Sequence, residues 1–224
     1  MPKVAIIIDD IGYNRVVAEK LIKLGIPITF SILPYSPFGD NIAQKAKDAG
    51  IEIMLHLPLE PFEYPKVNPG KGAILSGMTD EEMIDKIEMN LLDVPYVKGV
   101  NNHMGSKTTS DEKSMDLIMS LILKKKLFFI DSRTTKHSVC VKVAKGLKVP
   151  FAKRDIFLDH FQDEENVGKQ VDQLIIIAEK KGWAIGIGHP YGITLRTLEK
   201  KLISMKEKVQ FVKASELTKI LPPT

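Results

Sequence analysis

Only one cysteine, Cys140, occurs in 224 residues, so no disulfide can form within the chain. It lies in an apolar, helix-like stretch with no catalytic neighbour and reads as a small core residue rather than a nucleophile. No apolar run approaches the ~20 residues that cross a bilayer. No cleavable leader pattern precedes the first strand, which starts almost at once after Met1-Pro2, as in a chain trimmed of a leader. Neither sign of charge dominates: 32 Lys and Arg against 28 Asp and Glu leave +4. The lysines are scattered along helices, which excludes a nucleic-acid footprint and suits a polyanionic surface only weakly. A glycine-rich phosphate loop is also missing. Asp9-Asp10-Ile11-Gly12 has one glycine where a dinucleotide fingerprint needs three. The compact His-Glu-x-x-His metal motif does not occur, and nothing calls for an obligate protein partner.

What is present, 44% hydrophobic and 27% charged residues, suits one soluble globular domain spanning residues 1–224. Strand-like runs fall near residues 4–8, 27–32, 51–55, 97–102, 127–130, 149–152, 183–187 and 209–212. Helical patterns lie between them, near 14–24, 39–49, 79–92, 110–125, 135–146, 164–181 and 194–206. Thr79 with Glu82 and Thr109 with Glu112 fit capping boxes, and Gly25, Gly50 and Gly182 sit where left-handed helix ends belong. Strict β-α alternation with doubly buried strands predicts an α/β fold with a parallel sheet. Seven or eight such units favour closure into a single (β/α) barrel. Residues 57–78 break the rhythm with four prolines. A long irregular stretch of this kind is usually functional or mobile, and Phe62 and Tyr64 in it would serve equally as a ligand platform or as loop anchors.

The first apolar run ends in adjacent aspartates, Val4-Ala5-Ile6-Ile7-Ile8-Asp9-Asp10. Two carboxylates at the mouth of a buried strand repel each other and resist desolvation, which a bound cation or a shared proton would relieve. A lone Asp there would more often cap the next helix. Other polar residues gather at the same strand ends: His56 after strand three, His103 after strand four, Asp131 and Arg133 after strand five, Arg154 to Asp159 after strand six, His189 after strand seven. In a parallel barrel these ends share one face, where active sites are built. His137 and His160 lie off the pattern and read as surface or capping residues. Carboxylate with imidazoles is a common catalytic zinc set, so the residues point to a mononuclear divalent-metal hydrolase.

Six ordered motifs carry a resemblance. They are Ile8-Asp9-Asp10-Ile11-Gly12, Leu55-His56-Leu57-Pro58-Leu59-Glu60-Pro61 and Asn102-His103-Met104-Gly105-Ser106, then Asp131-Ser132-Arg133-Thr134, Arg154-Asp155-Ile156-Phe157-Leu158-Asp159 and Gly188-His189-Pro190. With them the chain resembles the divergent polysaccharide deacetylase family, related to the carbohydrate esterase deacetylases, from residue 4 to about 215. The resemblance implies a distorted (β/α) barrel of the glycoside hydrolase/deacetylase type, a divalent metal, usually Zn2+, and an acetylated glycan as substrate. It implies Asp9 as general base, His189 as general acid and Asp10 and His56 as metal ligands. Glu60 stands where the esterases carry a second motif histidine, and Pro58 disfavours a helical turn between His56 and Glu60. His103 is the preferred replacement ligand. Glu60, Asn102, Ser106, Asp131, Arg133, Arg154, Asp155 and Asp159 are expected to support the ligands or touch substrate. The esterases' substrate-binding arginine and tryptophan motifs are not recognisable. The same resemblance admits a barrel that binds carbohydrate without turning it over. A hydrolase of another amide or of a phosphoester ranks lower. A glycosidase pairing Asp9 or Asp10 with Glu60 ranks last, because it leaves the histidines idle. The family favours a secreted or cell-envelope location, with the cytoplasm as the alternative.

Overall fold

A computed structural model describes residues 1–222. Its elements run β1 (Lys3–Ile11), α1 (Arg15–Ile22), β2 (Thr29–Ile32), α2 (Gly39–Asp48), β3 (Glu52–Leu59), α3 (Asp80–Asp93), β4 (Gly99–Met104), α4 (Glu112–Lys124) and β5 (Phe128–Asp131). They continue with α5 (Cys140–Leu147), β6 (Phe151–Lys153), β7 (Ile156–Phe157), α6 (Glu164–Lys181), β8 (Trp183–Gly188), α7 (Gly192–Lys208) and β9 (Gln210–Phe211).

The strand pairs are parallel, in the order β6-β5-β4-β3-β2-β1-β8-β7, with β9 added to β1. The two edge strands of that order, β6 and β7, are separated in the chain only by Arg154 and Asp155. Three residue steps span at most about 11 Å, so the edges must meet. One extended run is thus shared between both edges. Arg154 N–H bonds to Asp131 O of β5, and Asp155 N–H bonds to Ile185 O of β8, each at 2.9 Å. The sheet curls into a distorted barrel with its seam at these two residues.

Two apolar clusters show which way each strand faces. Val4, Ile6, Ile8, Phe30, Leu55, Val100 and Phe129 pack outward with helix residues such as Leu21, Ile118 and Leu174. Ala5, Ile7, Met54, Phe128, Ile130, Ala152, Ile185 and Ile187 form a second cluster containing no residue of the seven helices, which is the barrel interior. Val212, Ala214 and Leu217 join it from the C-terminal segment. That segment is fastened by Ala214 N–H to Thr29 Oγ1 and Ser215 N–H to Glu52 Oε1, both at 3.0 Å. It closes the floor of the barrel at the strands' amino ends.

Local signals mostly act as their chemistry dictates. The Thr79–Glu82 capping box forms in full, and Gly25, Gly50 and Gly182 have positive φ. The Thr109–Glu112 box does not form. Thr109 lies in a short 3₁₀ turn, and Asp111, nearer the helix, caps α4 by accepting from Ser114 N–H. The expected helix at 135–146 begins only at Cys140, after an irregular stretch from β5. Cys140 is buried in the outer cluster, as anticipated for a core residue. His137 and His160 are exposed.

Candidate metal centre and active site

Side chains on a strand alternate, so counting in twos from the interior apolar residues shows which polar residues enter the barrel mouth. The count passes from Ala5 and Ile7 to Asp9 and from Met54 to His56, and on β2 the outward Phe30 leaves Thr29 and Ser31 inward. The count also passes from Ile130 to Ser132, from Ala152 to Arg154, and from Ile187 to His189. On β4 the outward Val100 leaves Asn101 and His103 inward. A polar layer therefore sits directly on the apolar interior.

Adjacent aspartates could not both face inward on a regular strand. A bulge solves this. Ile8 pairs with Phe30 and Ile11 with Ile32, so Asp9 and Asp10 together oppose the single residue Ser31. Asp10 takes φ +54°, a left-handed conformation that Asp tolerates better than most residues. Its carboxylate is thereby turned to the same side as that of Asp9. Neither aspartate caps α1; Asn14 does, accepting from Val17 N–H.

Asp10 Oδ1 lies 3.0 Å from His103 Nδ1 and 3.2 Å from His56 Nε2, and the two ring nitrogens are 3.2 Å apart. These three side chains form a group that could hold a metal ion. Ligand atoms about 2.0–2.1 Å from a tetrahedral ion lie about 3.3 Å from one another, so the observed triangle needs little adjustment. Asp10 Oδ1 is buried and completes no hydrogen bond of good geometry despite both rings at hand. An orphaned buried carboxylate oxygen facing two imidazole nitrogens is the environment a divalent cation satisfies. Burial works to raise the Asp10 pKa, but His103 and His56 outweigh it and hold the carboxyl well below its ordinary range.

One amide organises the neighbouring groups. Asn101 Nδ2 donates to Asp9 Oδ1 at 2.8 Å and to Ser132 Oγ at 3.2 Å. Its Oδ1 accepts from Ser31 Oγ and faces His56 Nδ1 at 2.7 Å. An ionised carboxylate can only accept, so the NH2 group must face Asp9 and the oxygen must face His56. His56 then carries its proton on Nδ1 and offers the Nε2 lone pair to the Asp10–His103 triangle. Asp9 is 2% exposed, with Oδ2 3.6 Å from His56 Nε2. Burial is the chief cause of its raised pKa, against which His56, His189 and Asn101 pull. His56 is pushed up, burial opposing and the charges of Asp9 and Asp10 prevailing.

On the far side of Asp9, His189 is clamped by Asp159. Asp159 Oδ1 meets His189 Nδ1 at 2.8 Å, and Oδ2 accepts from His189 N–H at 2.6 Å and from Thr194 Oγ1 at 2.7 Å. The ring stacks between Phe157 and Tyr191, with centroids 6.0 and 5.5 Å away. Burial lowers its pKa, but Asp159 at contact and Asp9 and Asp10 beyond it raise the net value to about 9. Nδ1 is committed to Asp159, which leaves Nε2 as the exchangeable nitrogen.

The structure does not bring every expected residue into contact with this centre. Glu60 is turned aside: Lys107 Nζ holds Oε1 at 2.8 Å and Ser76 N–H takes Oε2. Burial acts to raise its pKa, and these donors overcome it and lower the net value. β3 stays extended through Leu59, in keeping with the effect of Pro58. Asn102 faces away from the interior, donating to Met104 O and accepting from Ser132 N–H, and so joins the ends of β4 and β5. Ser106 accepts from Phe62 N–H, and Asp131 accepts from Arg133 N–H and Ser138 Oγ. Asp155 departs furthest. Its carboxylate binds Lys181 Nζ at 2.7 Å and Ile185 N–H at 2.9 Å, because the residue after the inward Arg154 must point outward. Phe62 is exposed and Tyr64 partly buried. Asn101, Ser31 and Ser132 also belong to this network, and of these a count of two back from His103 selects Asn101.

A curled parallel barrel with a carboxylate-imidazole cluster at its carboxyl face defines the class to which the chain is assigned. The divergent polysaccharide deacetylase family model matches residues 6–218, and the chain belongs to that family. It is 34% identical over 215 residues to an uncharacterized protein, YibQ, of Escherichia coli (strain K12), covering 96% of this chain and 67% of YibQ. It is also similar to the crystal structure of an uncharacterized protein, ATU2773, from Agrobacterium tumefaciens C58. That likeness has a TM-score of 0.91 and 26% identity over 96% of this chain and 89% of the other. A mutant of the Bacillus anthracis protein BA3943, a CE4 family pseudoenzyme with restored enzymatic activity, shares the fold alone. Its TM-score is 0.56 at 14% identity, covering 96% of this chain and 67% of the other. Among the described residues no helix is long and apolar enough to cross a membrane.

Proposed function

We propose that this protein is a divalent-metal-dependent deacetylase that hydrolyses N- or O-acetyl groups of a polysaccharide or cell-wall glycan, with zinc as the ion. The reading rests above all on the convergence of Asp10 Oδ1, His56 Nε2 and His103 Nδ1 within 3.2 Å of one another. Asp9 and the Asp159-bound His189 flank that triangle. Membership of the deacetylase family adds the class of bond.

In this reading Asp10, His56 and His103 hold the ion, which when bound polarises the acyl oxygen and lowers the pKa of water towards neutrality. Asp9 acts as general base: its raised pKa suits it to take a proton from the attacking water, and Asn101 fixes the carboxylate for that transfer. His189, protonated and oriented by Asp159, gives the Nε2 proton to the departing amine or alcohol. The apolar interior beneath keeps bulk water from reaching these groups from below.

Metal analysis of the purified protein, combined with an acetate-release screen on acetylated glycans, tests the proposal. Stoichiometric zinc with acetate release is the expected result. Bound metal without release from any acetylated glycan would favour a carbohydrate-binding barrel without turnover; BA3943, which shares the fold, is a CE4 family pseudoenzyme. Absence of stoichiometric metal would overturn the mechanism.

A further inference from the structure

Arg154 enters the barrel mouth at the seam, and its guanidinium is spent on only one edge. Nε donates to Ser132 O at 2.7 Å and Nη2 to Arg133 O at 3.0 Å, which are consecutive carbonyls at the end of β5. The group lies 3.6 Å over the Phe157 ring, and Phe157 in turn stacks on His189. This cation is therefore held rigidly, one aromatic ring away from the candidate general acid. A guanidinium carries five N–H donors, and using Nε and one from Nη2 leaves three, among them the end-on pair with one from each terminal nitrogen. That fork matches the two oxygens of a carboxylate or phosphate.

Among the described residues no side-chain carboxylate is bonded to it. Among the described residues neither Arg154 nor the exposed Arg133 forms an ion pair with a carboxylate. Of the carboxylates whose charge reaches Arg154, Asp131 accepts from Arg133 N–H and Ser138 Oγ, Asp9 from Asn101 Nδ2, and Asp155 from Lys181 Nζ and Ile185 N–H. Burial without a contact anion costs the charged form, and the Arg154 pKa falls to about 10. A half-buried, oriented and unpaired arginine at the rim of a binding site is a receptor for an anion.

We propose that Arg154, assisted by Arg133, forms an oxyanion subsite, so that the preferred ligand carries a carboxylate or phosphate on a sugar next to the one seated at His189. The inference takes the glycan from the function proposed above, but the anion subsite stands on the arginine geometry alone.

Binding by the full chain tests it independently of turnover. The probes are an acetylated oligosaccharide bearing a carboxylate, the same oligosaccharide with that group reduced to an alcohol, a phosphorylated counterpart, and inorganic phosphate. At low salt the anionic oligosaccharides should bind about tenfold or more tightly than the neutral one, and the gap should narrow as salt rises. The tighter of the two anions identifies the group. Arg154→Gln should erase the preference, Arg154→Lys should restore part of it, and Arg133→Gln should reduce it. Equal binding of charged and neutral probes to the unmodified protein would overturn the proposal, as would a preference that survives Arg154→Gln. Arg154-dependent binding of inorganic phosphate without binding of any oligosaccharide would keep the anion site and sink the glycan reading. Acetate release, measured separately, reports on the deacetylase assignment.

Discussion

Asp9 and His56 are held to one another through the side chain of Asn101, which donates to the carboxylate at 2.8 Å and faces the imidazole Nδ1 at 2.7 Å. The candidate base and a candidate metal ligand thus share one support, so its loss should damage both. Asn101→Ala is expected to weaken zinc affinity about 10–100-fold, the usual effect of removing a partner behind a ligating histidine. It should lower turnover by more than the metal loss alone explains. Zinc titration of the metal-stripped protein, followed by assay at saturating zinc, separates the two. Unaltered zinc affinity would refute the role assigned to the amide.

The ligand and base roles of the neighbouring groups should split cleanly. His56→Ala removes one corner of the triangle and should abolish stoichiometric zinc. Asp9→Asn keeps all three corners and should bind zinc while losing about 10²–10⁴-fold in turnover. In the unmodified protein, zinc at 100 times its dissociation constant should stabilise the fold by about 2.7 kcal/mol, and a chelator should reverse this. Full turnover by Asp9→Asn would mean that another group is the base.

As the candidate general acid, His189 is expected to set an alkaline limit. Its pKa is raised from 6.5 to about 9, so as a proton donor it should let kcat/KM fall above about pH 9. Because the folded-state value lies above the unfolded one, the associated stability is complete below about pH 6.5 and is lost as pH rises through 9. A rise of that size corresponds to about 3 kcal/mol. NMR titration of the ring should show the high value in the unmodified protein and a value nearer 6.5 in Asp159→Asn. An unshifted His189 in that variant would dissociate the clamp from the pKa.

Gly12, two residues beyond Asp10, sits where no side chain fits. Its φ is +132°, and a Cβ there would lie 1.9 Å from Ser36 Oγ. Strain and overlap together should make Gly12→Ala cost about 2–4 kcal/mol in denaturant unfolding. Zinc affinity should fall as well, since the bulge that turns Asp10 inward is directly adjacent. A denaturation midpoint equal to that of the unmodified protein would show that the turn relaxes freely.

Much of this arrangement is written in short-range pattern. β-α alternation, the capping box at Thr79 and the glycine helix ends are local preferences, and each formed. The capping box expected at Thr109 failed because a competing cap, Asp111, stood closer to the helix. Asp9, Asp10, His56, His103 and His189 could be picked out as strand-end residues, since a parallel sheet sends all such ends to one face. Asn101 was hidden beside Asn102: the two are chemically identical, and only the inward or outward phase of β4 separates them. Asp155 was drawn into the expected site by proximity in sequence to Arg154, and the same alternation removes it.

The sequence by itself determined the alternating elements and the set of polar residues available at the barrel mouth, because those depend on periods of two and 3.6 residues. The tertiary structure decided which of them meet. The two-against-one bulge opposite Ser31 turned Asp10 to the side of Asp9, and the register of β3 and β4 brought His56 and His103 to it. Lys107 and Ser76 drew Glu60 away. The curl of the sheet brought Asp159 to His189 and left Arg154 at the seam. Such meetings join residues 16 to 92 positions apart, as Ser76 to Glu60 and Asn101 to Asp9 show. No local period carries them, and register and curvature of the whole sheet do.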